Sequence, residues 1–217
     1  MRLILVRHGQ TQSNVDHVID TATPGPSLTN LGREQADALP GALAAERIDA
    51  LFVSTLVRTQ QTAAALSAVR GLTPQIRAGI REIEAGILEG KKDRTSVHDF
   101  VSTELAWVRG DLDRRMPGGQ DGHETLGRFD EVVAEAEATG GDSVLFVSHG
   151  SMIRTWSGSR ARNIDVDFVY KNPLNNTGVV VLEGGLENGW LVTTWQDTAM
   201  GAGLDDTGSA GAVADNS

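Results

Sequence analysis

Short, fully apolar runs that stop at a polar residue restrict the fold of this chain more than any other feature. Leu3 to Val6, Ala50 to Val53 and Val144 to Val147 are each apolar at four successive positions. Such runs are typical of strands that are buried on both faces, as in a parallel sheet. We predict two further strands, at Val179 to Leu182 and Leu191 to Trp195, joined by a Gly-rich turn.

Helical periodicity occupies the segments between these strands. Apolar residues recur at spacings of three and four over 29–47, over the stretch after Ser54, over 97–108 and over 126–136. Pro40 lies inside the first of these patterns and should kink or end that helix. Strands that alternate with helices indicate an α/β fold, with a mostly parallel central sheet flanked by helices.

The C-terminal segment has a different composition. Residues 201–217 are mainly Gly, Ala, Ser, Asp and Thr, with few large apolar side chains. Burial of so little apolar surface cannot offset the entropy of ordering this segment. We therefore expect one folded domain over 1–198 and a disordered tail over 199–217.

Composition and charge exclude several classes of protein. The chain has 19 Lys and Arg against 29 Asp and Glu, which gives a net charge of −10 and argues against nucleic-acid or anionic-membrane binding. The absence of cysteine excludes disulfides, thiol nucleophiles and iron–sulfur clusters. Only four consecutive apolar residues precede Arg7, whereas a signal peptide needs ~7–15. No stretch of the sequence approaches the ~20 apolar residues of a membrane span. We expect a soluble, cytoplasmic protein.

Two of the buried strands end in a histidine followed by glycine. His8 follows the first strand directly, and His149 follows the strand that ends at Ser148. Ligands of open α/β sheets bind beyond the carboxyl ends of the strands, where both histidines can face one crevice. A third strand end leads within one helical turn to Arg58, and Arg7 precedes His8. The candidate site thus holds two imidazoles and two guanidiniums.

A concentrated positive site on an acidic protein indicates a compact dianion as ligand, and phosphate fits best. The planar arginine fork donates two parallel hydrogen bonds to such an anion. Each histidine could act as nucleophile, as proton donor or as a further phosphate donor. Metal binding by His8 and His149 is weakly supported, because no carboxylate or third histidine shares an i,i+4 spacing with either. We assign no role to His17, His98 and His123.

Five sequence blocks follow one another in a characteristic order over 1–183. The first is R-H-G-x-T-x-x-N, and the blocks are Arg7–Asn14, Leu28–Ala36, Ser54–Ala63, Ile80–Gly90 and Val147–Arg154. Together they resemble the histidine phosphatase superfamily, the phosphoglycerate mutase-like family. The resemblance implies a three-layer α/β sandwich, in which 85–122 forms a lid or insertion over the site.

The resemblance also implies a role for each matching residue. His8 would be the nucleophile that takes the phosphoryl group as a phosphohistidine, and Glu82 would donate a proton to the leaving alkoxide and then activate water. Splitting the reaction into two displacements at one histidine is covalent catalysis, for which neither metal nor cofactor is required. The residues expected around the phosphoryl group are Arg7, Arg58, His149, Asn14 and Gly150.

Three functions remain open, and a metal-independent phosphomonoester hydrolase with a small-molecule substrate leads. The second is a cofactor-dependent phosphoglycerate mutase, and the third is a non-catalytic binder of a phospho-ligand. Mutases of this family carry an Arg-Arg pair followed closely by Tyr and two prolines, an arrangement that 91–122 lacks. Asp20 stands where a neutral side chain is expected, which should disfavour strongly anionic substrates. A homodimer is left open.

Overall fold

A six-stranded sheet forms the centre of the computed structural model, which describes residues 1–196. Its strands in chain order are β1 (Arg2–Arg7), β2 (Ala50–Ser54), β3 (Gln75–Arg77), β4 (Ser143–Ser148), β5 (Val179–Gly185) and β6 (Gly189–Trp195). The spatial order is β3-β2-β4-β1-β5-β6, in which the first four strands are parallel and β5 and β6 are antiparallel to their neighbours. The predicted mostly parallel α/β sheet is confirmed. The expected tail lies outside the described residues.

Seven helices connect these strands within residues 1–196. They are α1 (Gln12–Val15), α2 (Asn30–Ala42), α3 (Val57–Arg70), α4 (Arg94–Val108), α5 (Gly122–Ala138), α6 (Gly150–Arg160) and α7 (Val166–Lys171). Helices α2 to α5 were predicted, whereas α1, α6, α7 and strand β3 were not. The sequence of α6 mixes polar and apolar residues on a largely buried surface, so it shows no apolar stripe. None of these helices combines the length and the apolarity needed to cross a bilayer.

The side chains of β1 divide between two hydrophobic layers. Leu3 and Leu5 pack in a cluster with α4, α5 and α6, whereas Ile4 and Val6 pack with α2 and α3. All four side chains are fully buried, as the period of two along a strand requires when both sheet faces are covered. The three-layer arrangement expected from the sequence is therefore confirmed.

Helix α2 is shorter than the sequence pattern predicted. It ends at Ala42 instead of continuing to 47, and it contains Pro40 within its last turn. Proline has no N–H, so the carbonyl of Ala36 loses its helical partner and the last turn is weakened. Leu43 then closes the helix by donating from its N–H to the carbonyl of Leu39 at 2.9 Å.

The loop that follows β1 lies directly against the first turn of α2. A Cβ atom on Gly9 would lie 2.5 Å from the carbonyl oxygen of Gly32, so neither position leaves room for a side chain. Thr29 caps α2 by accepting a hydrogen bond from the Gly32 N–H at 3.0 Å. This close backbone approach fixes the loop that carries His8.

Candidate functional site

The carboxyl ends of β1, β2 and β4 meet at one edge of the sheet. Arg7 is in register with Ser148, and the N–H of His8 donates to the carbonyl of Ser148 at 3.0 Å. Residues beyond the ends of all three strands line a common cavity, whereas His149 itself is fully buried and is not part of that lining. The cavity lining includes Arg7, His8, Asn14, Arg58, Glu82 and Gly150.

The imidazole of His8 is held as a single tautomer. Its Nδ1 lies 2.7 Å from the carbonyl oxygen of Gly9. A carbonyl can only accept, so Nδ1 carries the proton and Nε2 keeps its lone pair. Burial, followed by the charges of Arg58 and Arg7, lowers the pKa of His8 well below its usual range. His8 is thus neutral at physiological pH, as a nucleophilic imidazole must be.

His149 is fully buried beside His8. The two ring centroids are 5.3 Å apart, with an interplanar angle of 62°. The ring Nε2 of His149 lies 2.8 Å from the Ser54 hydroxyl, and its buried Nδ1 has no partner within the described residues. Burial, then the charge of Arg58, lowers its pKa well below the usual range.

Arg58 enters the cavity from the first turn of α3. Its guanidinium is almost fully buried, and its Nη2 donates to the carbonyl of Asp20 at 2.9 Å. The Asp20 carboxylate lies 3.6 Å from Nη1, whereas Nε has no partner within residues 1–196. Burial lowers the pKa of Arg58, and the nearby carboxylates oppose that shift. Asp20 therefore anchors this cation and partly neutralises it.

Arg7 is fixed between the loop that precedes β5 and the start of α6. Its Nη1 donates to the carbonyl of Leu174. A Cβ atom on Gly150 would lie 3.0 Å from the Arg7 Nε, which is tighter than ordinary van der Waals contact. Gly150 therefore lets the guanidinium of Arg7 lie against the first turn of α6.

Asn14 belongs to a hydrogen-bonded capping arrangement at α1. Its Oδ1 accepts from the N–H of Thr11 at 3.0 Å and from the Nδ2 of Asn176 at 3.3 Å. Asn176 also donates to the carbonyl of His8 at 2.9 Å. Sequence reasoning missed Asn176, although the polar, Gly-ended loop before β5 was a signal that could have found it.

The carboxylate of Glu82 lies at the N-terminal turn of α6. It accepts hydrogen bonds from the backbone N–H groups of Met152 at 2.9 Å and Ser151 at 3.3 Å. Its own neighbour Ile83 donates at 2.9 Å. The Glu82 side chain is buried and belongs to the cavity lining.

The segment that carries Glu82 is secured by two further side chains. Arg128 of α5 donates to the carbonyls of Gly79, Arg81 and Glu82, and burial lowers its pKa to about 10. Glu89 accepts from the N–H and from the hydroxyl of Thr21. These contacts fix the Glu82 segment on one side and the loop after Asp20 on the other.

The cavity also holds three titratable residues to which the sequence assigned no role. They are His17, Glu104 and Arg154. His17 is an exposed residue with φ of 53°, whereas Glu104 and Arg154 are buried. Glu104 lies seven residues after Val97 on α4, so a carboxylate on the apolar face of this helix was the available signal. His98 and His123 lie outside the cavity lining.

Fold and sequence together define the class of protein. The family model described as histidine phosphatase superfamily (branch 1) matches residues 3–198. The chain therefore belongs to the histidine phosphatase superfamily, as the five sequence blocks indicated.

Two curated relatives and one solved structure illustrate this similarity. The PE-PGRS family protein PE_PGRS11 of Mycobacterium tuberculosis is 34% identical in an alignment of 215 positions. That alignment covers 90% of this chain and 36% of that protein. The probable phosphoglycerate mutase GpmB of Citrobacter koseri is 30% identical over 151 residues, which cover 69% of this chain and 70% of that one. The structure of mycobacterial glucosyl-3-phosphoglycerate phosphatase in complex with VO3 is 25% identical, with a TM-score of 0.75. That likeness covers 91% of this chain and 99% of the other.

Proposed function

We propose that this protein is a phosphomonoester hydrolase that acts without a metal ion, through a phosphohistidine on His8. The observation that carries the proposal is a neutral His8 with Nδ1 bound to a carbonyl, beside two buried arginines and a second histidine. A protein of net charge −10 that gathers cations in one cavity is suited to a small dianion.

The reaction proceeds in two displacements. The Nε2 lone pair of His8 attacks phosphorus, the bond from phosphorus to the ester oxygen breaks, and the leaving alkoxide takes a proton from Glu82. Water then attacks the phosphohistidine and gives its proton to Glu82. The bond from phosphorus to nitrogen breaks, and inorganic phosphate and neutral His8 are restored.

The surrounding groups stabilise the charge on the transferring phosphoryl group. In this proposal Arg7, Arg58 and His149 donate to its equatorial oxygens, and Asn14 and the backbone at Gly150 add neutral donors. Donors that are already fixed in place stabilise this charge better than water, because they need not reorganise during the reaction. The anchoring of Arg58 by Asp20 and of Arg7 by Leu174 supports this assignment.

We infer that the segment 85–122 covers the site. Val97, Phe100 and Val101 of α4 line the cavity together with Glu104. An apolar wall excludes water from the reacting groups and so strengthens their electrostatic interactions. The segment would therefore contact the alcohol portion of the substrate.

The cavity favours a hydrolase over a mutase. A phosphoglycerate mutase needs further cations for the carboxylate and the second phosphate of its substrate. Arg114 instead donates to Ser102, and Arg115 pairs with Asp121 and Glu124. Within the described residues, none of the six cations of 91–122 lines the cavity. The Citrobacter relative that carries the mutase name aligns with 69% of this chain.

Hydrolysis of p-nitrophenyl phosphate in the presence of a metal chelator tests the proposal. Turnover that persists under chelation is the expected result. Interconversion of phosphoglycerates that depends on 2,3-bisphosphoglycerate would instead establish a mutase, and phosphate binding without turnover would establish a binder. That the substrate is a small-molecule phosphomonoester and that the protein is cytoplasmic stay predictions. A homodimer stays open.

A further inference from the structure

Two buried, oppositely charged side chains face the cavity and take no part in the reaction proposed above. Glu104 on α4 is 2% exposed and Arg154 on α6 is 7% exposed, and both belong to the cavity lining. Helices α4 and α6 pack against each other, so the two residues enter the cavity from adjoining walls. We call Glu104 and Arg154 the alcohol subsite.

Each residue of the alcohol subsite has a buried polar atom without a partner. The Glu104 Oε1 and the Arg154 Nε have no hydrogen-bond partner within the described residues. The other contacts hold both side chains in place, because Arg154 Nη2 donates to the carbonyl of Val169 at 3.1 Å and the Ser151 hydroxyl hydrogen-bonds to Glu104. A buried acceptor and a buried donor left unpaired at a cavity wall are suited to pair with a ligand.

The electrostatic surroundings restrict which ligand group fits. Burial raises the pKa of Glu104 to about 7, while Arg154 acts in the opposite direction and Glu82 in the same one. Asp20 and Glu82 also line this cavity, so three carboxyl groups surround the space beside the phosphate-binding arginines. A second anionic group on the substrate would meet the carboxylate of Asp20 and the ionised form of Glu104, whereas a hydroxyl would not be repelled.

We propose that Glu104 and Arg154 select phosphomonoesters whose alcohol portion carries hydroxyl groups and no second anion. This inference rests on the hydrolase function proposed above and adds the class of its substrate. A hydroxyl donates to the Glu104 Oε1, and a neighbouring hydroxyl oxygen accepts from the Arg154 Nε. A purely apolar alcohol leaves both atoms unpaired on binding, which a site built for hydrogen bonding rejects.

Three esters with three-carbon alcohols test this selectivity. They are glycerol 3-phosphate, which carries hydroxyls, 3-phosphoglycerate, which carries a carboxylate, and propyl phosphate, which carries neither. We expect the kcat/KM of the wild type for glycerol 3-phosphate to exceed each of the other two by about tenfold or more. Equal values for the three esters would overturn the proposal.

The variant Glu104→Gln assigns the selectivity to this residue. It keeps the size of the side chain and removes its charge, so we expect the preference for glycerol 3-phosphate over 3-phosphoglycerate to fall by about tenfold. The matched control is Glu131→Gln, which makes the same change at an exposed position of α5 and should leave the preference unchanged. A preference within twofold of wild type in Glu104→Gln would overturn the assignment.

Arg154→Lys provides a second variant in case Glu104→Gln does not fold. Lysine keeps the charge but lacks the Nε donor, so the preference for glycerol 3-phosphate over propyl phosphate should fall by about tenfold. An unchanged preference would contradict the role of Arg154. Hydrolysis of p-nitrophenyl phosphate by the wild type separates the two proposals. If the wild type does not hydrolyse this ester, the hydrolase proposal itself is overturned. If it does, and both variants keep the wild-type selectivity, only the proposal of the alcohol subsite is overturned.

Discussion

The imidazoles of His8 and His149 meet edge to face, 5.3 Å apart, although they are 141 positions apart in the sequence. Both are buried and neutral, because burial and the neighbouring arginines disfavour a further positive charge. The two neutral imidazoles add no charge of their own, so Arg7 and Arg58 supply the positive charge that would face an incoming dianion.

Replacement of the proposed nucleophile should abolish turnover. We expect His8→Ala to lower kcat for p-nitrophenyl phosphate by about 10³-fold or more and to eliminate acid-labile phosphorylation of the protein. His98→Ala, at a highly exposed position, is the control and should keep wild-type activity. Normal turnover in His8→Ala would refute the nucleophile assignment.

Replacement of the proposed proton donor should depend on the leaving group. Glu82→Gln should slow alkyl phosphates by about 10²–10⁴-fold, because their alkoxides need a proton as they leave. Activated aryl phosphates should be slowed much less in the first displacement, which pre-steady-state measurement of phenolate release can isolate. Glu84→Gln, whose carboxylate pairs with Arg81 outside the cavity lining, serves as control. Equal slowing of both ester classes would remove the assignment of Glu82.

Vanadate should compete with substrate at the cationic cluster. The mycobacterial phosphatase to which this chain is similar was solved with VO3. Arg58→Met removes charged donors and should weaken vanadate inhibition by about 10–100-fold. Arg47→Met, at an exposed surface ion pair, should leave the inhibition constant unchanged. Non-competitive inhibition, or none at all, would count against a phosphoryl site.

The buried titratable groups predict how the free energy of unfolding depends on pH. Below pH 6.5 the unfolded chain protonates His8 and His149, which stay neutral in the folded protein because burial lowers their pKa. The folded protein gains one proton in return on Glu104, whose pKa burial raises to about 7. The two histidines outweigh the one carboxyl, so the unfolded chain binds more protons and stability should fall as the pH is lowered from 6 to 5.

Urea denaturation at pH 6 and pH 5 measures this dependence. Glu104→Gln removes the opposing proton uptake, so the loss of stability over the same interval should be larger than in the wild type. His98→Asn changes an exposed histidine and should keep the wild-type slope. A slope that Glu104→Gln leaves unchanged would show that this carboxyl does not titrate as described.

Much of the fold was predictable because it depends on local patterns. The apolar run of β1 and the three- and four-residue spacing of α5 are each visible in a short stretch of sequence. Strand β3 has a single apolar residue, Ile76, and its pairing with β2 is a long-range contact that no local pattern encodes. Helix α2 ended early because Pro40 deprives its last turn of a hydrogen bond.

The candidate site shows the same division between local and distant information. His8, Arg58 and His149 were predictable because each follows the end of a recognisable strand, and the order of the parallel strands brings such ends together. Asn176 and Glu104 were not, because their importance lies in contacts with residues far away in the chain. Asn176 donates to the carbonyl of His8, 168 positions away in the sequence.

The sequence by itself determined the α/β class, the family and the chemical types of the groups at the strand ends, because these follow from residue order and periodicity. Only the tertiary structure decided which nitrogen of His8 carries the proton, how Asp20 anchors Arg58 and which charged side chains line the cavity. Those properties depend on distance and burial, and both arise when α4, α6 and the loops close around the sheet edge.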